Sequence, residues 1–482
     1  MRRQRTIYYN DARHYYLFVF EPPITLEEAW RPIDEVADTG VDTFVYGVDR
    51  GDGQFYPSRA GRMFKYGEHG EHGEFRQAAY WRVWHNLQSL IERGLNPLTV
   101  LIDRTHEKGM DFFTSMRLGS YGGIDVNHIT TNGGRGFAEP AMRDGLFAIL
   151  KEQAVEYDTQ GVELDFAAPP AGSAALLRDE DVPEHTATIT EWVERVADMV
   201  RDRAQPGQIG ARIYPTEVTN LARGYDVNTW LEKGLVDWVV PMVYGATIVD
   251  CNLPLEWITE TAHAADVAVY PMVQPDAAQE NDRRFVPRGH ATPAMMYAAA
   301  ASYFDRGADG LYTWFLKWPL GDDERSLLTD FGNPDLIRGK SKQYVIARSQ
   351  EYAERLGIHQ SLPVEIAADD TGSPRAIPFY ITDDVESLPR GSKVTLSIDI
   401  TDLVAADQIE VTLNGYSLEN ETCHRVHGHS IVPYMSLVLN YELEHIRPRH
   451  GENTLAITLV ERASDLKSPL RIEAVDVSIE YS

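Results

Sequence analysis

The chain is poor in cysteine, holding two in 482 residues, Cys251 and Cys423, far apart in sequence. That excludes a disulfide framework and reads as two free thiols. It has no apolar run approaching the roughly 18 residues that a bilayer span requires. It also lacks positive charge. Lys and Arg number 45 against 73 Asp and Glu, for a formal charge of −28. A balance that acidic disfavours a nucleic-acid partner, which needs a basic face. Among the few cations Arg greatly outnumbers Lys, as suits a salt-adapted source or a GC-rich genome. After the basic start MRRQRTIYYNDARHYYLFVFE no small-residue cleavage site follows. No secretory signal is read there, so a cytoplasmic location is expected, or an extracytoplasmic one had a leader been trimmed. A GxSxG elbow, a P-loop and a CxxC pair are missing too, which removes three common chemistries.

What is present is a change of texture along the chain. The first 320 or so residues alternate apolar runs with amphipathic stretches. YYLFVFE (15–21) is the first expected strand. The helix over 25–40 follows, with Thr25 as N-cap and Gly40 at its stop. Further strands are expected at 41–49, 110–118, 161–166, 208–215, 236–245, 266–275 and 310–316. Helical patterns lie between them at 75–108 (broken at Gly94 to Pro97), 141–157, 186–204, 221–234, 254–265 and 292–306. Eight strand–helix units of this kind point to a (β/α)8 TIM barrel. The doubly wound sheet is the alternative, but FEPPITLEE offers no Gly-rich phosphate turn after the first strand. From about residue 341 short alternating strands recur, separated by turns such as Asn414-Gly415. That is the pattern of an all-β sandwich, jelly-roll-like. The division expected is 1–335 for the barrel and 336–482 for the sandwich.

GVELDF (161–166) focuses the question of function. Period-2 alternation puts Val162, Leu164 and Phe166 on one face and Glu163 and Asp165 on the other. Ionised carboxylates on a buried strand are paired, neutralised or put to use. Barrel active sites stand at the C-terminal ends of the strands. The residues expected there are Glu21, Asp49, Arg50, Ser115, Arg117, Glu163, Asp165, Arg212, Tyr214, Glu217, Met242, Tyr244, Gln274, Asp276 and Trp314. Acids, arginines and aromatics at one mouth are the equipment of glycoside hydrolysis: a proton donor, a second carboxylate at the anomeric carbon, and rings that stack on sugars. Asp165 is the first choice for nucleophile or electrostatic stabiliser. Glu163, one layer deeper, is either the partner acid or an orienting group paired with Arg212. Substrate contacts are expected from Glu21, Asp49, Arg117, Arg212, Tyr244, Gln274 and Trp314. The two arginines hint at an anionic sugar such as a uronate. His69 and His72 in GEHGEHGE have a spacing that suits a metal, but glycines surround them and no third ligand stands out, so a solvated loop and no metal are expected. The loop GGIDVNHITTNGG, with Asp125 and His128, is expected to face substrate.

The motifs TGVDTFVYGVDRGD with YPSR, HEKGMDFFTSMR, GVELDF, VDWVVPMVYG and GLYTWF together resemble the family-10-like glycosyl hydrolase group over about residues 7–330. The resemblance implies a TIM-barrel glycoside hydrolase with a carbohydrate substrate and no obligatory cofactor. The C-terminal part is similar to the jelly-roll-like domains that accompany such enzymes. Where a family 18 chitinase would carry its proton-donating Glu, this chain has Ala167. Where a family 10 xylanase would carry its strand-7 glutamate, Gln274 stands. Two other readings stay open: a non-catalytic carbohydrate-binding protein on a degenerate barrel, and a polysaccharide lyase or metal-assisted hydrolase using the acids and the His-bearing loops. No nucleic acid or membrane partner is expected; a homo-oligomer is compatible with the sequence.

Overall fold

A computed structural model describes residues 3–11, 16–50, 53–67, 77–119, 136–167, 175–243, 249–277, 289–315, 319–346, 361–428 and 436–482. The chain divides into two compact units, one of 1–245, 254–272 and 307–332, the other of 246–253, 273–306 and 333–482.

The first unit is built on a parallel sheet. Its strands are β1 (Thr6–Asp11), β2 (Thr43–Gly47), β3 (Asp111–Arg117), β4 (Gly161–Asp165), β5 (Gln208–Ile213), β6 (Trp238–Pro241), β7 (Ala268–Val269), β8 (Met272–Val273) and β9 (Leu311–Thr313). The order across the nine-stranded sheet is β8-β9-β1-β2-β3-β4-β5-β6-β7. Its two edge strands, β7 and β8, are separated in the chain only by Tyr270 and Pro271. Asp309 N–H donates to Val269 O and Tyr312 N–H to Pro271 O, while β7 pairs with β6 on its other side. The sheet curls strongly. β5 and β9 stand five positions apart, roughly 24 Å on a flat sheet, yet Arg212 of β5 hydrogen-bonds Tyr312 of β9 at 2.5 Å.

Helices join successive strands from β1 to β7 and again from β8 to β9, as the crossovers of a parallel sheet require. Leu26–Asp34 starts at Thr25, whose side chain accepts from Glu28 N–H while Glu28 reaches back to Thr25 N–H. The predicted break at Gly94 to Pro97 separates Gln77–Glu92 from Pro97–Glu107. One strand expectation is corrected. YYLFVFE is not the first strand: Tyr16–Val19 is a short helix, and the strand is TIYYND, upstream. Phe18 packs on the helix Gln77–Glu92, its ring 5.5 Å from Tyr80, and Asn86 Nδ2 of that helix donates to Leu17 O and Phe20 O.

The second unit is dominated by antiparallel sheets. Its strands are β10 (Lys342–Val345), β11 (Val364–Ile366), β12 (Arg375–Ile381), β13 (Lys393–Thr401), β14 (Gln408–Leu413), β15 (Tyr416–Ser417), β16 (Thr422–His427), β17 (Ser436–Glu442), β18 (Gly451–Glu461) and β19 (Leu470–Glu480). One sheet runs β10-β19-β13-β17-β16 with β11 on β19, the other β12-β18-β14-β15. Along β13, β18 and β19 buried residues alternate with more exposed ones, as in sheets with one covered face. Asn414 has φ 53° and Gly415 φ 83°, the left-handed pair that a tight hairpin turn demands. Cys251 is buried and Cys423 exposed, and neither is in a disulfide.

Candidate active site

The site follows from strand register. In a parallel sheet, residues of matching register point the same way, so a polar set on one strand meets the sets beside it. Arg117 of β3, Asp165 of β4 and Arg212 of β5 are register partners. One level deeper stand Ser115, Glu163 and Gly210. The carboxylate of Asp165 is thereby set between two guanidiniums. Arg117 Nε lies 3.8 Å and Arg212 Nη1 3.5 Å from its Oδ2, and Ala167 N–H donates to Oδ1 at 3.1 Å. Glu163 Oε1 lies 2.7 Å from Arg212 Nε and accepts from Ser115 Oγ at 2.6 Å and from Tyr312 Oη at 3.2 Å. Its Oε2 is buried without a hydrogen-bond partner among the described residues.

Two further acids complete the cluster. Asp11, the last residue of β1, accepts from Arg117 Nη2 at 2.9 Å. Asp49, two residues past β2, accepts from the backbone N–H of Arg117 at 3.4 Å. Every one of these charged side chains is 3% exposed or less. Small residues make the room. A Cβ on Gly47 would fall on the Tyr9 hydroxyl, and one on Gly210 on the Trp238 ring. Tyr9 uses that room to lie under Arg212, whose Cζ is 3.8 Å from its ring centroid, an attraction strengthened by burial.

Electrostatics then differ from acid to acid. Burial raises Asp49 to about 8; Arg117 opposes this, while Asp11 and Asp165 add to it. Burial also raises Glu163, against Arg212 and the Ser115 hydroxyl. For Arg212 burial works against charge, but Glu163, Tyr312, Asp165 and Tyr9 more than offset it, so the guanidinium stays charged. The Tyr312 phenol is pushed far up by burial, so it serves as a neutral donor. Such a site can hold a proton on one carboxyl while presenting a fixed carboxylate beside it.

The structure brings together Asp49, Arg117, Glu163, Asp165 and Arg212 from the sequence-derived set, and adds Asp11, Tyr9 and Tyr312. It does not bring Glu21 there. With strand 1 placed at 6–11, Glu21 follows a short helix instead; its side chain is 68% exposed and paired with Arg82. Asp11 takes the strand-end position that was assigned to Glu21. A signal for it existed: TIYYND, TFVYGVD and GVELD each carry an apolar run closed by Asp. Gln274 is buried just past β8 and Trp314 just past β9. Tyr214 is buried and stacks on Tyr225. Glu217 begins a short helix and accepts from Asn228 Nδ2 at 2.6 Å. Tyr244, His69, His72, Asp125 and His128 lie outside the described residues. Among the described residues no three His, Cys, Asp or Glu side chains form a metal-holding group, and no helix is long and apolar enough to cross a membrane.

No protein-family model matches the chain, and no curated protein matches it. Among solved structures it is similar to an alpha-L-fucosidase GH29 from Bacteroides thetaiotaomicron, 11% identical over 96% of this chain and 94% of that one, with a TM-score of 0.37. It is similar to a GH5_18 protein from Streptomyces cattleya in complex with GlcNAc, 14% identical over 74% of this chain and 82% of that one, at a TM-score of 0.41. A chitinase from Paenibacillus sp. aligns over 98% of this chain and 56% of its own, with 10% identity and a TM-score of 0.42.

Proposed function

We propose that the chain is a glycoside hydrolase, built as a closed (β/α)8 barrel over 1–335 with an accessory β-sandwich over 336–482. The observation that carries this is Asp165, fixed at the end of β4 between Arg117 and Arg212 with other buried acids around it. Cleavage of a glycosidic bond develops positive charge at the anomeric carbon, and Asp165 meets that charge as nucleophile or as electrostatic partner. Its contacts with Arg117, Arg212 and the Ala167 N–H fix where the carboxylate stands before substrate arrives. Glu163 lies deeper and its Oε1 is taken by Arg212, Ser115 and Tyr312, which supports an orienting role. The reaction runs on carboxyl groups and water and needs no cofactor.

Both arginines face carboxylates of the same cluster, so the reading of an anionic sugar loses its support. Asp11, Asp49, Glu163 and Asp165 stand against Arg117 and Arg212, a balance that favours a neutral glycan. The test is product release from neutral and acidic polysaccharides and oligosaccharides by wild-type protein and by Asp165→Asn. Release from neutral substrates that vanishes in Asp165→Asn is the expected result. Products carrying a new double bond would make the protein a lyase. Sugar binding by both proteins without any release would make it a binding protein.

A further inference from the structure

We propose that Asp49 is the proton donor of this site, the group that hands a proton to the departing glycosidic oxygen. The proposal rests on the hydrolase reading and names the second carboxyl that reading leaves open.

The argument is one of partners. Of the four buried acids at the strand ends, three have a guanidinium within 4 Å. Asp11 has Arg117 at 2.9 Å, Glu163 has Arg212 at 2.7 Å, and Asp165 has both arginines at 3.8 and 3.5 Å. Asp49 has no such ion pair among the described residues. Its Oδ1 takes the backbone N–H of Arg117 at 3.4 Å, and its Oδ2 is buried with no hydrogen-bond partner. A carboxyl in that setting is stabler with its proton than without it. The charged groups acting on it come from three strands: Arg117 on β3, Asp11 on β1 and Asp165 on β4. Burial together with the two acids outweighs Arg117 and raises Asp49 to about 8. Glu163 is the rival, since it too is raised by burial. It lies one register level below Asp165, however, and one of its oxygens is fully engaged. Asp49 lies two residues beyond the C-terminal end of β2, the end at which Arg117 and Asp165 also close their strands.

In the step, the bond from the anomeric carbon to the glycosidic oxygen breaks and its electron pair stays on that oxygen. The oxygen takes the Asp49 proton and leaves as a neutral alcohol, while Asp165 meets the charge left on carbon. Water then adds its oxygen to the anomeric carbon, and the proton it releases returns to the Asp49 carboxylate. The sum is one glycoside and one water giving one sugar and one alcohol, with both carboxyl groups restored.

The experiment compares wild type, Asp49→Asn and Glu163→Gln on two glycosides of one sugar, an alkyl glycoside and a dinitrophenyl glycoside whose leaving group needs no proton. Loss of a general acid lowers kcat by about 10²–10⁴-fold. A loss of that size is expected in kcat/KM for Asp49→Asn on the alkyl substrate, with little in kcat/KM on the dinitrophenyl one, since kcat/KM reports bond cleavage and not the later step in which Asp49 takes the proton of water. The fall of wild-type kcat above about pH 8 on the alkyl glycoside should be absent when Asp49→Asn turns over the dinitrophenyl glycoside. Equal losses of kcat/KM on both substrates, or the leaving-group pattern in Glu163→Gln instead, would overturn the assignment while leaving the hydrolase reading intact. A wild type inactive on every glycoside and polysaccharide overturns both. A second measurement does not depend on a variant folding. The wild-type infrared spectrum should show a carboxylic-acid band at neutral pH that is lost as pH passes about 8, and its absence at neutral pH also overturns the proposal.

Discussion

At the residue scale the fold and the site make opposing demands on the same side chains. Arg212 is 1% exposed and is the nearest cation to Glu163, and it shares Asp165 with Arg117. Removing one partner of a buried ion pair leaves the other charge unpaired, at about 3–5 kcal/mol. Arg212→Met should therefore lower unfolding stability by about that amount in a denaturant titration, and adding Glu163→Gln should recover part of it. A loss below about 1 kcal/mol would mean the cluster is better hydrated than its burial suggests. Glycines impose a different constraint. Gly161 opens β4 at φ 156°, and a Cβ there would fall on the Gln208 carbonyl of the neighbouring strand. Backbone cannot yield as a flexible side chain can, so Gly161→Ala should cost about 2 kcal/mol or more. Thermal melts that match wild type would show that β4 and β5 can separate locally. Much of the cluster was legible in sequence, because period-2 alternation put Glu163 with Asp165 and Ser115 with Arg117 on one face. Alternation says nothing about which strand ends adjoin, so the pairing of Asp11 with Arg117 was not legible.

At the element scale, the sequence is most informative where local chemistry alone decides. Thr25 and Glu28 close a reciprocal cap whose donors and acceptors lie within one turn. Thr25→Ala should cost about 1 kcal/mol, read as a lowered denaturation midpoint, and an unchanged midpoint would mean the helix is held by packing alone. The first strand was the failure. YYLFVFE and TIYYND both read as apolar runs of strand length, and such short runs do not separate strand from helix. TIYYND wins because it has neighbours on both sides: β1 pairs in parallel with β2 and with β9. Those pairings join residues about 40 and 300 positions apart, a fact no local window contains. The end of the helix Leu26–Asp34 carries a pH dependence as well. Burial raises Glu35 to about 7 against Arg31 and Arg325. Its folded value lies above the ordinary carboxyl value of about 4.5, so the native state binds more protons between the two. This contribution is fully present below about pH 4.5 and is lost as pH rises to about 7. The difference amounts to about 2–3 kcal/mol at most. Glu35→Gln should flatten stability across that window, and a variant curve parallel to wild type would reject Glu35 as the source.

At the scale of the whole molecule the dominant fact is a charge of −28. Buried acids of the parallel sheet account for little of it, since Asp11, Glu163 and Asp165 stand beside Arg117 and Arg212. The excess therefore lies mostly elsewhere, where water and ions screen it. Like charges repel more in the compact state than in the expanded one, so such an excess destabilises folding at low ionic strength. Salt shortens the reach of that repulsion, from about 10 Å at 0.1 M to about 3 Å at 1 M. The same salt weakens exposed ion pairs such as Arg195 with Asp144 and Lys233 with Glu194, but pairs of that kind contribute only about 0–1 kcal/mol each. Their number is also capped by the shortage of cations, 45 against 73 acids. Repulsion should win. The unfolding midpoint is expected to rise between about 0.05 and 1 M sodium chloride, most steeply at the low end where screening changes fastest. Charge-reversing Glu→Lys substitutions at exposed positions such as Glu410 and Glu452 should reproduce part of that rise without salt. A midpoint that falls with added salt would mean that attraction between surface charges, few as the cations are, outweighs the excess of acid.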